Sequence, residues 1–346
     1  MPYARPALLW DRLDRQRVRC RVCRRRCAIE PGGRGFCLTR ENRKGTLVAL
    51  TYGQVAALHL APIEAKPLFH FYPGSRWLSL GSLGCNFRCP GCQNWEIAHA
   101  RVDGSGREVR PLQPAEVVAM ATERGAMGLS WTYNEPTLWL EYTLDAGKLA
   151  RERGLLANYV TNGYITPEAL ATIAPLLDAY RVDLKAFDAD AYRGLANVAD
   201  FQGVLDSAAR AKHEHGLHVE CVTNVVPGYN DEDRQLALLA AWIADELGPE
   251  TPWHVTRFVP HRHLGEVPPT PAATLERARQ TGRDAGLLYV YVGNVPGHPA
   301  EHSYCHCCGA LLVRRRGQTA VENRVLAGRC PFCGVRIPGQ WGSPGP

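Results

Sequence analysis

The 346-residue chain has no run approaching the roughly 18–20 apolar residues that a helix needs to cross a bilayer, which argues against a membrane-spanning protein. Its N-terminus has no positively charged, then apolar, then small-residue leader, so export is not expected and the cytoplasm is the expected location. No repeat and no low-complexity tract stands out apart from the Gly/Pro-rich tail after Ile337. Neither sign of charge dominates, since 40 Lys and Arg against 34 Asp and Glu leave a formal charge of +6. That small excess is unevenly spread: Arg12 to Arg26 contains eight arginines and one acid, Asp14. Such a stretch can attract a nucleic acid or an acidic protein face, or it can be a solvated surface around a metal knuckle.

Cysteine is what the chain has in quantity. Thirteen cysteines would mean disulfides in a small secreted domain. Here twelve of them fall into three tight groups separated by long cysteine-poor stretches, a pattern of metal or cluster ligation. Cys221 stands alone in the apolar stretch Leu217–Val226 and reads as a buried core residue.

Three regions follow: a cysteine-rich region over 1–74, a core over 75–296, and a small module with tail over 297–346. In the core, Trp77–Leu83, Met127–Tyr133, Leu155–Thr161, Ala179–Phe187, Leu217–Val226, Trp253–Val259 and Leu288–Val292 read as strands. Amphipathic segments between them read as helices: Pro114–Arg124, Thr137–Arg153, Pro167–Leu177, Val198–His215, Asp231–Leu247 and Thr270–Ala285. Thr166-Pro167-Glu168 and Asn230-Asp231-Glu232 have helix-start chemistry. Strand and helix alternating about every 30 residues means parallel strands with crossover helices. The expected fold is therefore α/β, a full or partial (β/α) barrel, with a doubly wound sheet as the competitor. Barrels carry chemistry on the loops after their strands, and the unusual motifs fall there.

The first such loop is Gly84-Cys85-Asn86-Phe87-Arg88-Cys89-Pro90-Gly91-Cys92. Three thiolates at this spacing can hold three irons of a 4Fe–4S cubane, leaving the fourth without a protein ligand. An open iron can chelate the amine and carboxylate of an amino acid, as in S-adenosylmethionine. Structural zinc is the alternative, but it wants four closed ligands.

This loop resembles that of the radical S-adenosylmethionine (radical SAM) superfamily, which implies a 5′-deoxyadenosyl radical that abstracts hydrogen. The superfamily commonly has an aromatic residue before the third cysteine; Gly91 stands there, and Trp95 is the substitute adenine surface nearest in sequence. Thr132-Tyr133-Asn134-Glu135-Pro136 lies where the superfamily has a Gly-Gly-Glu-like stretch, which implies Asn134 and Glu135 at the methionyl ammonium, against the alternative of an ordinary turn. Thr161-Asn162-Gly163, Val182-Asp183-Leu184-Lys185 and Val226-Pro227-Gly228-Tyr229-Asn230-Asp231 look like the glycyl-radical-activase branch. The resemblance implies that Asn162, Asp183 and Lys185 face the cofactor, Asp183 at the ribose and Lys185 at the carboxylate. Alternation puts Asp183 and Lys185 on one face, where an internal salt bridge is the other reading. His254 is a weaker candidate, since a strand histidine is more often a satisfied core residue.

Pro62–Phe71 and Cys92-Gln93-Asn94-Trp95, with the outer cysteine groups, resemble the radical enzyme of the AmmeMemoRadiSam system. That resemblance implies a Memo-like and an AMMECR-type companion protein; radical chemistry of this kind also needs an electron donor such as ferredoxin or flavodoxin. At the far end, Cys305 and Cys308, then Cys330 and Cys333, each pair followed by glycine, form a zinc-ribbon pattern, which rubredoxin-like iron would share. Cys307 or His306 could substitute as ligand there. Cys20, Cys23, Cys27 and Cys37 can fill a zinc site or a second cluster. Rival readings are an RNA-modifying radical enzyme gripping through the arginines, and a zinc-ribbon scaffold without catalysis.

Overall fold

All seven strand-like runs of the core form strands of one sheet. The computed structural model describes residues 3–102 and 109–342; the last four residues of the Gly/Pro tail lie outside them. The sheet comprises β1 (Ala57–Pro62), β2 (Arg76–Gly81), β3 (Gly128–Trp131), β4 (Leu156–Thr161), β5 (Ala179–Asp183), β6 (His218–Val225), β7 (Trp253–Arg257) and β8 (Val290–Gly293). Their order across the sheet follows the chain, and β2 to β8 are parallel while β1 pairs antiparallel to β2. Sequential order excludes the doubly wound alternative, in which the order reverses at a switch point. A full barrel is excluded too, because β8 pairs only with β7 and leaves the sheet open.

Between the strands run α1 (Pro114–Glu123), α2 (Leu140–Glu152), α3 (Pro167–Ile173), α4 (Gln202–His213), α5 (Asp233–Trp242) and α6 (Ala272–Asp284). Strand alternation sorts the two faces. Leu78, Leu80, Leu129, Trp131, Tyr159, Val219, Trp253 and Val255 join helix residues such as Val117, Leu170, Val204, Leu239 and Leu275 in the main core. The opposite, inner face carries Ser79, Ser130, Asn158, Arg181, Glu220 and His254. A sheet with one apolar and one polar face needs something polar on the inside.

Thr166 caps α3, its hydroxyl accepting from the Ala169 amide at 3.2 Å. Asn230 does not cap α5. Its side chain accepts from the Val226 amide and donates to the Lys185 and Asn224 carbonyls, so it braces the loop after β6. The expected boundary at residue 74 is displaced, because β1 already belongs to the central sheet.

The N-terminal region folds as small antiparallel sheets clamped to the helices. Buried Arg40 makes two 2.9 Å bonds to Glu141 of α2. Arg21 and Arg26 meet Glu168 of α3, and Arg24 meets Asp206 of α4. Arg17, Arg21, Arg24 and Arg26 of the arginine-rich stretch thus have acidic partners within the molecule. At the other end, a three-stranded antiparallel module (residues 303–323) packs on the base of the sheet. Arg315 donates to the Phe69 carbonyl at 2.9 Å, and the tail returns so that the Gln340 amide donates to the His70 carbonyl at 2.7 Å.

Candidate active site

The cysteine loop leaves the C-terminal end of β2 through Gly84, whose φ is +83°. A Cβ there would stand 2.4 Å from the Thr39 methyl and 2.7 Å from the Cys37 carbonyl, so glycine is needed for conformation and for space. Cys85, Cys89 and Cys92 are each partly buried. Burial pushes all three thiols up, Cys89 to about 11 and Cys85 well beyond its ordinary value, and for Cys85 and Cys89 the neighbouring thiols add to it. Three crowded thiols deprived of water ionise only if a cationic centre replaces the solvent. Among the described residues, the one set of three or more thiol, imidazole or carboxylate groups lying within 4.8 Å of one another belongs to the C-terminal module. Cys85, Cys89 and Cys92 are not such a set; they bring three thiols to one loop with no fourth cysteine on it.

The later strand ends brace this loop. Asn134 accepts from the Ser82 amide at 3.0 Å and donates to the Gly84 carbonyl at 2.8 Å. Asn162 donates to the Asn86 side chain at 2.8 Å and lies 3.8 Å from the Cys85 sulfur. Glu135 is buried, and its carboxylate is occupied: it accepts from the Thr137 amide and hydroxyl, the Thr161 hydroxyl and the Asn162 amide at 2.6–3.1 Å. Burial raises its pKa and those bonds oppose the rise. Glu135 therefore ties the ends of β3 and β4 together.

Asp183 and Lys185 share a face, as alternation requires, and they pair at 3.3 Å. Arg181, the preceding residue on that face, meets the other Asp183 oxygen at 2.5 Å. Burial works against the Asp183 charge, but the two cations outweigh it and its pKa falls. Burial likewise opposes the Lys185 charge, and Asp183 with the adjacent Cys89 raises its pKa nonetheless. The pair is thus an internal bridge that also borders the cysteine loop.

Trp95 is 37% exposed, with the Arg262 guanidinium 4.4 Å from its ring centre. His254 lies elsewhere, one residue into β7 and so near the base. Its ring bonds Glu220 at 2.7 Å and stacks on Tyr291. Burial lowers its pKa, and Glu220 works against that.

Five participants were missed. Phe258 and Leu264 fill the space beside Gly91, 3.5 and 3.1 Å from where its Cβ would stand; nothing in the sequence signals this contact. Tyr133 folds back at φ +72° against Gly81, where a Cβ would meet it at 2.9 Å. Lys66 is 5% exposed, its ammonium 5.3 Å from the Tyr133 ring centre and near Arg181. Among the described residues no carboxylate pairs with it, and burial, then Arg181, lower its pKa to about 8. Arg181 was readable by alternation from Asp183.

The C-terminal thiols converge as expected. Cys305–Cys333 and Cys308–Cys330 stand 3.6 and 3.7 Å apart, with Cys307 outside the group and His306 bonded to Tyr289. Zn–S bonds of about 2.3 Å at tetrahedral angles would put sulfurs about 3.8 Å apart, so a single ion fits.

Residues 80–240 match the model of the Radical SAM superfamily. An uncharacterized protein of Methanocaldococcus jannaschii is 44% identical, over 96% of this chain and 98% of its own length. The isethionate sulfite-lyase activating enzyme of Nitratidesulfovibrio vulgaris is 27% identical, over 49% of this chain and 51% of its own length. Among solved structures, a domain of a pyruvate-formate lyase-activating enzyme from Bacteroides vulgatus superposes with a TM-score of 0.42 at 18% identity, covering 48% of this chain and 99% of that domain.

Proposed function

The chain belongs to the radical SAM superfamily and is an enzyme; we propose that it abstracts hydrogen from a substrate carrying an anionic group. The observation that carries the reading is the CxxxCxxC loop after the first parallel strand, whose three cysteines would leave one iron of a cubane without a protein ligand. With a 4Fe–4S cluster on Cys85, Cys89 and Cys92 and S-adenosylmethionine on its open iron, the centre supplies one-electron cleavage of the sulfonium and a 5′-deoxyadenosyl radical.

The chain's own groups supply the rest. Asn134, Asn162 and Glu135 hold the loop and strand ends in place. Lys185 offers a donor to a carboxylate, and Asp183 an acceptor for hydroxyls. Phe258, filling the space beside Gly91, and Trp95 under Arg262 offer flat apolar surface to a base. On the inner face Lys66 and Arg181 leave positive charge uncancelled, and a substrate carboxylate or phosphate is the natural partner. In the C-terminal module we assign zinc, as a structural ion. The resemblance to the AmmeMemoRadiSam branch supports a cytoplasmic enzyme with a Memo-like and an AMMECR-type companion, served by ferredoxin or flavodoxin.

Anaerobic reconstitution with iron and sulfide tests the reading. Wild-type protein with dithionite should convert S-adenosylmethionine to 5′-deoxyadenosine and methionine, and the cofactor should perturb the cluster's EPR signal. Conversion surviving in any single Cys85, Cys89 or Cys92 to Ala variant would overturn it.

A further inference from the structure

The four N-terminal cysteines form a second built site, and it differs from the C-terminal one in a decisive way. Cys20, Cys23, Cys27 and Cys37 line one cavity with Arg25, Arg40 and Asn86. Yet no three of them come together within 4.8 Å, whereas the C-terminal sulfurs all do. An ion of zinc's size draws four sulfurs into mutual contact. Sulfurs that surround a cavity without touching suit a body several ångströms across.

The cavity wall is prepared for negative charge. The Thr39 hydroxyl donates to Cys37 at 3.2 Å. Arg40, 1% exposed, lines the cavity, and its Nε has no partner among the described residues.

The site also abuts the catalytic loop. Arg25 donates to the Asn86 carbonyl at 2.6 Å, and Arg88 donates to the Phe36 carbonyl at 2.8 Å. Arg88 lies in the field of both Cys37 and Cys85. The Thr39 methyl and the Cys37 carbonyl are the atoms that leave no room for a side chain at Gly84.

We propose that Cys20, Cys23, Cys27 and Cys37 hold a second 4Fe–4S cluster, closed by four thiolates, which relays electrons to the Cys85–Cys92 loop. The metal assignment stands independently of the catalytic reading; the relay role rests on it. In the relay, a ferredoxin- or flavodoxin-type protein loses one electron and this cluster gains it. The electron then passes to the neighbouring cluster and the first returns to its oxidised state, with no bond or proton changing hands.

The test is metal and sulfide content with EPR on the full chain, reconstituted anaerobically. Wild type should hold roughly eight irons and eight sulfides per chain, two cubanes' worth, beside one zinc. The triple variant Cys85→Ala/Cys89→Ala/Cys92→Ala should keep roughly four irons in a cubane whose EPR signal ignores S-adenosylmethionine. Cys23→Ala should keep the cofactor-sensitive cluster alone. Its reduction by ferredoxin or flavodoxin should slow at least tenfold while reduction by a small diffusible reductant is spared. Two zincs and one cofactor-sensitive cluster in wild type would overturn the proposal and leave the catalytic reading standing. If Cys23→Ala does not fold, the wild-type and triple-variant contents decide the metal. Two clusters in wild type whose reduction by the protein donor proceeds equally fast in both would overturn the relay.

Discussion

The base of the sheet and its cluster end both carry buried charge, and they treat it in opposite ways. At the base, Glu220 accepts from the Phe69 and His70 amides at 3.0 and 2.8 Å and from His218 and His254 at 2.9 and 2.7 Å. Burial opposes its ionisation, but these donors hold its pKa well below the usual range. His70 is closed in turn by the Pro338 carbonyl and the Tyr291 hydroxyl, both at 2.6 Å. Each of Glu220, His218, His254 and His70 has its partner inside the chain, although Glu64 Oε2 and Arg315 Nε beside them make no hydrogen bond. At the cluster end burial holds the Cys85, Cys89 and Cys92 thiols above their ordinary range, and Lys66 has no carboxylate partner among the described residues. A folded chain tolerates such incompleteness where a ligand completes it. Saturation, more than burial or charge, separates the structural polar groups from the functional ones.

That contrast breaks if the two ends respond alike to mutation. The largest effect is expected for Cys89→Ala, which should abolish 5′-deoxyadenosine formation while far-UV circular dichroism stays native. Glu220→Ala comes next and should behave in reverse. Removing a buried carboxylate that four donors share should cost about 3–5 kcal/mol in chemical denaturation, with turnover per folded molecule kept. A Glu220→Ala protein that is stable but inactive would erase the distinction.

Lys185→Ala sharpens the comparison on a smaller scale. Losing a charge-assisted contact to the cofactor should weaken its binding by about 1.5–3 kcal/mol in equilibrium titration, with the cluster still assembled. An affinity unchanged on the folded fraction would leave the Asp183–Lys185 pair as a bridge and nothing more. Glu135→Ala, by contrast, should chiefly lower stability, because its carboxylate is already occupied.

The smallest effect concerns Lys66. Its pKa is lowered from 10.5 to about 8, so between those values the unfolded chain binds more protons than the folded one. Stability then rises with pH through that window, by roughly 1 kcal/mol over its first unit, as the buried charge is relieved. Lys66→Met should abolish this rise relative to wild type and lose nothing at pH 7. Parallel pH–stability curves for the two proteins would show that the ammonium is solvated, contrary to its role at an anion site.

Local chemistry and periodicity determined a good deal of this protein. The seven parallel strands were readable because apolar, β-branched runs alternate with amphipathic segments, and both signals survive without neighbours. The two glycine-followed CxxC pairs and the CxxxCxxC loop were readable because ligand spacing within a loop is a sequence property. Tertiary structure alone decided which charges are satisfied. Glu135 and His254 bond Thr161 and Glu220, which stand 26 and 34 residues away in the chain. Phe258 meets Gly91 from across the inner face. Tertiary structure also distinguished two cysteine quartets of the same composition. Sulfur spacing across a cavity is set by the backbone that surrounds it, and no count of residues between cysteines contains that distance.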